Sequence, residues 1–523
     1  MPTPCSSSGS RFAAPAACLL ALALALAGCG GDGGAAAAGE PSPQQGGVLR
    51  YPLATRPQHL TPPLASTRDE LMVVRALFSG LVDVDPETGG LVPVIARSWH
   101  ASDGLRSFSF RLRTDVRFSN GAPVSAGTFV DDWSFVCRVN GPAAPLLAVI
   151  QGGEGCGEAG WVGPLTGVSA PAPDRLEVRL RTPFADFPAV LANPGLWAFP
   201  AAIAQDDLAG AGSTVVGSGP FVLGGSPTDS PLVLERNPAA LHPAHVDSVE
   251  LTPLPGGDAQ RAAMAGFRQG IYDLAEVPVQ QAQVTMADPE LSRRLLVQPI
   301  AAVTLVALGP SPRLGLDRRR ALAWATDAQT VAASVTGGVS VAADGLVPPV
   351  MASYAPGESP YTYDKSMARR TLAGRPLVGV TASAVPDEVL PGLADTRRVM
   401  AALIAGYRRA GLPVEEARAG TGSAVVVRLD AAYPAADAIL SQLVPRGDER
   451  SLAPARGTAD PGQRADRYRQ LAARLLDAAT VIPVTFDARA FVVSPRVSHF
   501  QIDSLGLPHL ETCWLTGQAP AGS

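Results

Sequence analysis

Residues 107–126 read Ser107-Phe-Ser-Phe-Arg-Leu-Arg-Thr-Asp-Val-Arg-Phe-Ser-Asn-Gly-Ala-Pro-Val-Ser-Ala126. The first six of these residues alternate polar and apolar side chains, a pattern typical of a half-buried antiparallel strand. The apolar face of this predicted strand consists of Phe108, Phe110 and Leu112. Two further segments predict strands of the same kind, Leu176–Arg181 and Pro231–Arg236. The first half of the chain therefore predicts antiparallel sheet.

Helices are predicted mainly in the second half. Apolar residues recur at helical spacing within residues 395–411, and Gly411 ends that pattern before a short strand, Leu412–Glu415. A second amphipathic pattern around Tyr468 leads into the strand Val481–Phe486. Asp317 is predicted to cap a third helix, which runs through Ala325. Because helices and strands alternate here, we expect an α/β domain.

Composition limits the function classes. The chain has 523 residues, 46% of them apolar and 17% charged, with 42 basic and 47 acidic residues and a net charge of −5. This is too apolar for a disordered chain and long enough for several domains. The charge disfavours a nucleic-acid partner, because such proteins present strongly basic faces.

The N-terminal residues predict export. Residues 13–27 form one apolar stretch after Arg11, with the length of a secretory core but too short to span a bilayer comfortably. The stretch continues into Leu26-Ala-Gly-Cys29, which resembles the bacterial lipobox. We expect residues 1–28 to be a lipoprotein signal peptide, Cys29 to carry lipid, and residues 29–46 to form a flexible tether. The alternative is an ordinary secretion signal with a chance cysteine.

The remaining cysteines fit an oxidising compartment. Cys137 and Cys156 flank a loop rich in glycine and proline, and we expect them to form a disulfide. Cys513 would then be a buried, inert thiol. The sequence contains no CxxC and no cysteine–histidine spacing typical of a metal site, so neither a metal nor a cofactor is expected.

Catalytic motifs are missing from the sequence. It has no GxSxG and no HExxH pattern. Gly155–Gly160 matches GxGxxG, but Trp161-Val-Gly-Pro164 follows and is a poor helix start. We therefore expect a disulfide-tied loop there, not a dinucleotide site, and we expect no enzyme.

Several segments, in the right order, resemble the extracellular solute-binding proteins of the oligopeptide, dipeptide and nickel class (family 5). These are the substrate-binding lipoproteins of ATP-driven (ABC) importers. The resemblance covers residues 47 to about 500 and rests on Leu81–Trp99, Phe108–Ala126, Val216–Phe221, Leu234–Pro238, Phe267–Asp273, Asp317–Asp327, Gly345–Pro349 and Val481–Val484.

The resemblance implies an α/β, two-lobed periplasmic-binding-protein fold, with an extra subdomain in lobe one and a hinged ligand cleft between the lobes. Chain order places lobe one at residues 47–282, completed by 485–523, and lobe two at 283–484. Such clefts suit solute capture, since closure buries the ligand and strengthens its polar contacts.

The ligand site departs from the family pattern. Peptide-binding relatives commonly carry an aspartate before an aromatic residue, which holds the α-amine of the peptide, but here Ala432 precedes Tyr433. Asp430 shares the face of Ala432 if this segment is extended, and Asp437 would need a bend to substitute. Alternatively, both are solvated loop acids. By resemblance, an early loop that contains Ala65 and Ser66 also lines the cleft.

The resemblance implies a lipid-anchored, monomeric binding protein on the outer face of the cell membrane or in the periplasm. It would deliver a solute, peptides first, to the permease and ATPase subunits of an importer. Two alternatives keep the fold. One is a non-peptide cargo such as a metal chelate or a glycan, and the other is a sensor of a signalling peptide. A remote alternative is an exported hydrolase.

Overall fold

The structure is a computed structural model. It describes residues 42–201, 215–254, 256–309, 314–373, 380–384, 395–419, 421–445 and 447–517. The predicted signal peptide and Cys29 lie outside these residues, as does most of the predicted tether.

Nineteen named strands occur within the described residues. They are β1 (Val48–Leu53), β2 (Val82–Val84), β3 (Leu91–Pro93), β4 (Ala96–Ser102), β5 (Ser107–Leu112), β6 (Val168–Ala172), β7 (Arg175–Arg179), β8 (Phe221–Gly224), β9 (Leu232–Arg236), β10 (Ser248–Pro253), β11 (Leu274–Glu276), β12 (Leu295–Leu308), β13 (Val341–Ala342), β14 (Val380–Ala384), β15 (Val414–Glu416), β16 (Ala424–Asp430), β17 (Val481–Val493), β18 (Val497–Ser498) and β19 (Trp514–Leu515).

The α-helices of the same residues are α1 (Arg68–Leu77), α2 (Ala126–Arg138), α3 (Phe187–Val190), α4 (Ala259–Arg268), α5 (Ala282–Ala287), α6 (Pro289–Ser292), α7 (Leu316–Ala325), α8 (Ala328–Val335), α9 (Lys365–Thr371), α10 (Thr396–Arg409), α11 (Asp437–Leu443), α12 (Ala453–Arg456) and α13 (Pro461–Asp477).

The early strands form two four-stranded sheets. One is antiparallel, in the order β4-β5-β7-β6, and contains the predicted strand at 107–112 with its three apolar side chains buried. The other has the order β1-β10-β9-β8, in which only β1 and β10 run parallel. The expected antiparallel strands in the first half are confirmed.

A seven-stranded mixed sheet dominates the second half, in the order β11-β17-β12-β16-β14-β15, with β13 paired to β17. Strand β14 runs parallel to both of its neighbours, while β12, β16 and β17 pair antiparallel. Helix α10 covers part of this sheet. Its N-cap is Asp395, and the residues predicted to form its apolar face are all buried (Val399, Met400, Leu403, Ile404 and Tyr407).

One capping prediction is wrong. Helix α7 begins at Leu316 with Gly315 at the N-cap, so Asp317 lies inside the first turn. There its negative charge still faces the positive end of the helix dipole, which explains why the sequence pattern suggested a cap.

The two longest strands, β12 and β17, connect separate hydrophobic cores. Phe491 of β17 belongs to a core built mostly from residues before 252, whereas Ile482 of the same strand belongs to a core built from residues 306–484. In β12, Leu296 packs against the first core and Val306 lies in the second. Strands β12 and β17 thus connect the two cores, the arrangement expected of a hinge between two lobes. The predicted lobe boundaries fall inside α5 and β17, and the division at those residues stays a prediction.

A disulfide joins Cys137 at the end of α2 to Cys156, and Cys513 is free and buried. Burial raises the pKa of the Cys513 thiol, which keeps it protonated. Residues 151–160 consist of turns and lead into no helix, so GxGxxG here is part of the loop that the disulfide ties.

Candidate functional site

A cavity of about 250 Å³ lies between elements of the two lobes. Lobe one contributes the start of α1, the segment 193–194 and the loop 505–507. The middle of β12 and the end of β16 supply the opposite wall. The cavity is slightly smaller than the range of about 300–1,000 Å³ typical of small-molecule sites, and its position fits a ligand cleft between two lobes.

A buried carboxylate shapes the loop that leads to the cavity. Glu70 accepts backbone hydrogen bonds from Ser66 at 2.9 Å and Thr67 at 3.1 Å, and the Thr67 hydroxyl accepts one from the Glu70 amide at 3.2 Å. This capping box starts α1. Burial opposes ionisation of Glu70, but the backbone N–H donors outweigh it and lower its pKa. The loop is thereby fixed, and Arg68 is the first residue of the helix.

Arg68 meets the end of strand β16 across the cavity. Its Nη2 lies 2.7 Å from Oδ1 of Asp430, and Nε of Arg428 lies 3.1 Å from Oδ2 of the same carboxylate. Burial opposes the charge of Asp430, but Arg68 and Arg428 outweigh it and lower its pKa. One carboxylate thus has a guanidinium on each oxygen.

Glycine at position 506 leaves room for Arg68. Gly506 has φ +81°, and a Cβ at this position would lie 2.9 Å from Nη1 of Arg68. Arg489, which is paired with Glu276 through two hydrogen bonds of 2.8 and 2.9 Å, donates to the Gly506 carbonyl. Arg489 thereby fixes the C-terminal loop close to Arg68.

A second hydrogen bond joins the lobes beside this ion pair. The side-chain Nδ2 of Asn193 donates to the backbone carbonyl of Ala432 at 2.8 Å, and Oδ1 of Asn193 accepts from the backbone N–H of Gly195 at 2.9 Å. Both Asn193 and Ala432 line the cavity.

The structure brings three of the six predicted ligand residues to the cavity: Ser66, Asp430 and Ala432. Ala65 is buried and is not part of the lining. Strand β16 ends at Asp430 and the chain then bends, so the segment is not extended as far as residue 433.

Tyr433 and Asp437 are both buried and belong to a different cluster. Asp437 is 0% exposed and accepts from Arg456 at 2.8 and 2.7 Å, from the Tyr433 hydroxyl at 2.8 Å and from the Tyr468 hydroxyl at 3.2 Å. Neither residue lines the cavity. Asp437 is therefore neither a solvated loop acid nor a group facing the cavity, because the bend after residue 431 turns it toward Arg456 and Tyr468.

Sequence reasoning missed Arg68, Asn193 and Arg456. Arg68 follows directly on the loop that was singled out, so its charge was the signal available. Asn193 and Arg456 lie in no motif, and their partners lie 239 and 19 positions away along the chain.

Among the described residues, no group of three or more histidine, cysteine, aspartate or glutamate side chains is arranged to hold a metal ion. Within the same part of the chain, no helix has the length and apolar character needed to cross a membrane.

The family described as "Bacterial extracellular solute-binding proteins, family 5 Middle" matches residues 90–421. The probable deoxycholate-binding periplasmic protein YgiS of Escherichia coli is 27% identical over 348 residues, 64% of this chain and 63% of YgiS. The oligopeptide-binding protein OppA of Bacillus subtilis is 26% identical over 335 residues, 61% of this chain and 60% of OppA. The matches thus span less than two thirds of these relatives, both of which are named as binding proteins.

The fold is similar to that of solved binding proteins. The periplasmic murein tripeptide-binding protein MppA, in its unliganded open form, superposes with a TM-score of 0.76 at 20% identity, over 91% of this chain and 99% of MppA. This likeness confirms the two-lobed periplasmic-binding-protein fold predicted from the sequence.

Proposed function

The chain belongs to the bacterial extracellular solute-binding proteins of family 5, and we propose that it captures a solute for an ABC importer. Peptides are the first candidate for that solute. One observation carries this proposal: the cavity is lined from both lobes, beside two strands that connect the lobe cores. A solute held there would contact both lobes and shift the hinge equilibrium toward the closed state. The permease would recognise that closed state.

Peptides are the first ligand class because several relatives carry peptide-binding names, OppA of Bacillus subtilis and MppA among them. A non-peptide cargo is the second candidate. The pairing of Asp430 with two arginines favours it, since the one carboxylate in the described lining of the cavity is not free to bind an α-amine. The name of YgiS refers to deoxycholate, which shows that a relative has been linked to a non-peptide solute.

We further propose that Cys29 carries the lipid anchor and that residues 29–46 tether a monomer to the outer face of the membrane. The Leu26–Cys29 pattern and the tether composition support this. Lobe one would consist of residues 47–282 and 485–523, and lobe two of residues 283–484. Metabolic labelling with palmitate tests the anchor: the label should be lost in Cys29→Ser, and equal labelling of both proteins would contradict it.

Mass spectrometry of small molecules released on denaturing the purified protein tests solute capture. We expect a mixture of short peptides from the wild type and from Ala333→Trp, whose substitution lies on an exposed face of α8. Ala432→Trp should release none, because the indole fills the cavity. Release of a single non-peptide species would favour the second candidate, a non-peptide cargo, over peptides. Equal release from Ala432→Trp would show that the cavity is not the binding site.

A further inference from the structure

Three charged side chains form one hydrogen-bonded cluster at the cavity. They are Arg68, Arg428 and Asp430, and both oxygens of the single carboxylate already accept from a guanidinium. The Asp430 side chain is 37% exposed and that of Arg68 is 14% exposed, so a solute reaches both. The Arg428 side chain is only 3% exposed and does not line the cavity, so a solute meets Arg68 and Asp430 as the two charged side chains of the described lining.

The neighbouring acidic side chains Glu276 and Asp487 do not line the cavity. Both carboxylate oxygens of Glu276 accept hydrogen bonds from Arg489. Asp487, the other buried acid near Arg428, accepts from the hydroxyls of Thr304 and Thr485 at 3.1 and 2.9 Å and does not line the cavity. Among the described residues, Asp430 is the one acidic side chain in the lining.

The other polar side chains in the described lining, those of Ser66 and Asn193, already have hydrogen-bond partners within the protein. The Ser66 hydroxyl donates to Glu70, and both ends of the Asn193 amide have partners. In contrast, Nη1 of Arg68 has no hydrogen-bond partner among the described residues. A buried polar group without a partner carries an unrecovered desolvation cost, which a suitable ligand can remove.

We propose that Arg68 is a specificity-determining residue and that the cavity holds a carboxylate end of the solute instead of an ammonium end. A carboxylate adds charge-assisted hydrogen bonds to a guanidinium that has donors to spare. An ammonium group would meet a carboxylate already shared between two arginines, and the described lining offers no further acid to offset its lost hydration. This inference depends on the proposed function only in taking the cavity as the solute site.

Modifying the two ends of one peptide pool separately tests the inference. A pool of di- and tripeptides is offered to the full chain in three forms: free at both ends, N-acetylated, and C-terminally amidated. Binding is measured by calorimetry on protein stripped of bound solute. We expect amidation to weaken binding at least tenfold and acetylation to change it less than threefold. Tenfold loss on acetylation with no loss on amidation would overturn the inference while leaving peptide capture intact.

Variants of Arg68 then connect the preference to this residue. Arg68→Gln should remove the discrimination against amides, and Arg68→Lys should keep most of it. Arg261→Gln, which changes an exposed arginine on α4, serves as the matched control and should bind like the wild type. The wild-type comparison needs no variant, so misfolding of Arg68→Gln leaves the inference testable. Discrimination that persists in folded Arg68→Gln would overturn the role of Arg68.

A panel of organic acids and their methyl esters separates the two proposals if no peptide form binds. Binding of acids but not of esters, with loss in Arg68→Gln, would support the inference and overturn peptide capture. Equal binding of esters would overturn the inference. Binding of nothing would overturn both.

Discussion

Replacing Asp437 with alanine separates a structural role from a ligand-binding role for this residue. The carboxylate is 0% exposed, and it is held by two hydrogen bonds from Arg456, whose side chain is 17% exposed and lies over the ring of Phe184. Removal leaves that guanidinium in the interior without its partner. Removing one member of a buried ion pair typically costs about 3–5 kcal/mol.

Two tyrosines that donate to Asp437, Tyr433 and Tyr468, also affect the stability lost in this variant. Tyr468 keeps Asp186 as a second acceptor at 2.8 Å, whereas Tyr433 loses the acceptor of its hydroxyl. We therefore expect Asp437→Ala to lower the free energy of unfolding by about 3–5 kcal/mol. Asp437→Asn keeps the shape and one acceptor, and should cost less, about 1–3 kcal/mol.

Urea unfolding followed by circular dichroism measures the free energy, and calorimetry on the folded protein measures solute affinity. Asp466→Ala is the control, because Asp466 is 61% exposed and pairs with Arg469 three residues away. Loss of such a pair should cost less than about 1 kcal/mol. If Asp437→Ala unfolds like the wild type but no longer binds solute, the reasoning is refuted and Asp437 acts on the ligand.

Two further predictions concern the disulfide and a buried histidine. Replacing Cys137 and Cys156 together with serine should lower the unfolding free energy by about 3 kcal/mol, the scale for a loop of this length, and unchanged urea midpoints would contradict this. Burial and Arg75 oppose the charge of His509, but Glu511 and Asp503 outweigh them and raise its pKa from 6.5 to about 9. The charged imidazole therefore stabilises the fold fully below pH 6.5, and this contribution is lost as the pH rises through 9. His509→Gln should flatten the decline in unfolding free energy between these two pH values. If the variant declines with the same slope as the wild type, the assignment to His509 is contradicted.

Local patterns in the sequence predicted several of the elements correctly. The alternation at 107–112 and the helical spacing within 395–411 each depend on neighbours along the chain, and burial in the structure follows them. Helix boundaries were less predictable. An acidic residue in the first turn and a residue at the N-cap give similar sequence signals, which explains the error at Asp317.

The site was predicted only in part. Asp430 and Ser66 were named because each lies in a segment that resembles the lining of related clefts, and both do line the cavity. Asp437 was named for its charge and proximity along the chain. A bend of a few residues turns it away, and sequence spacing does not encode the direction of a bend in an irregular segment.

The sequence by itself determined the family, the strand and helix periodicities, and the pair of cysteines that the structure joins. These features depend on residue types and on spacing over short distances. Tertiary structure decided what Asp430 binds: Arg68 lies 362 positions away along the chain, and the two meet because α1 begins and β16 ends at one cavity. Hydrogen bonds and ion pairs act over a few ångströms in space. The partners of a charged group are therefore set by how distant elements pack. That packing decides whether Asp430 is free to bind a ligand or is already paired with two arginines.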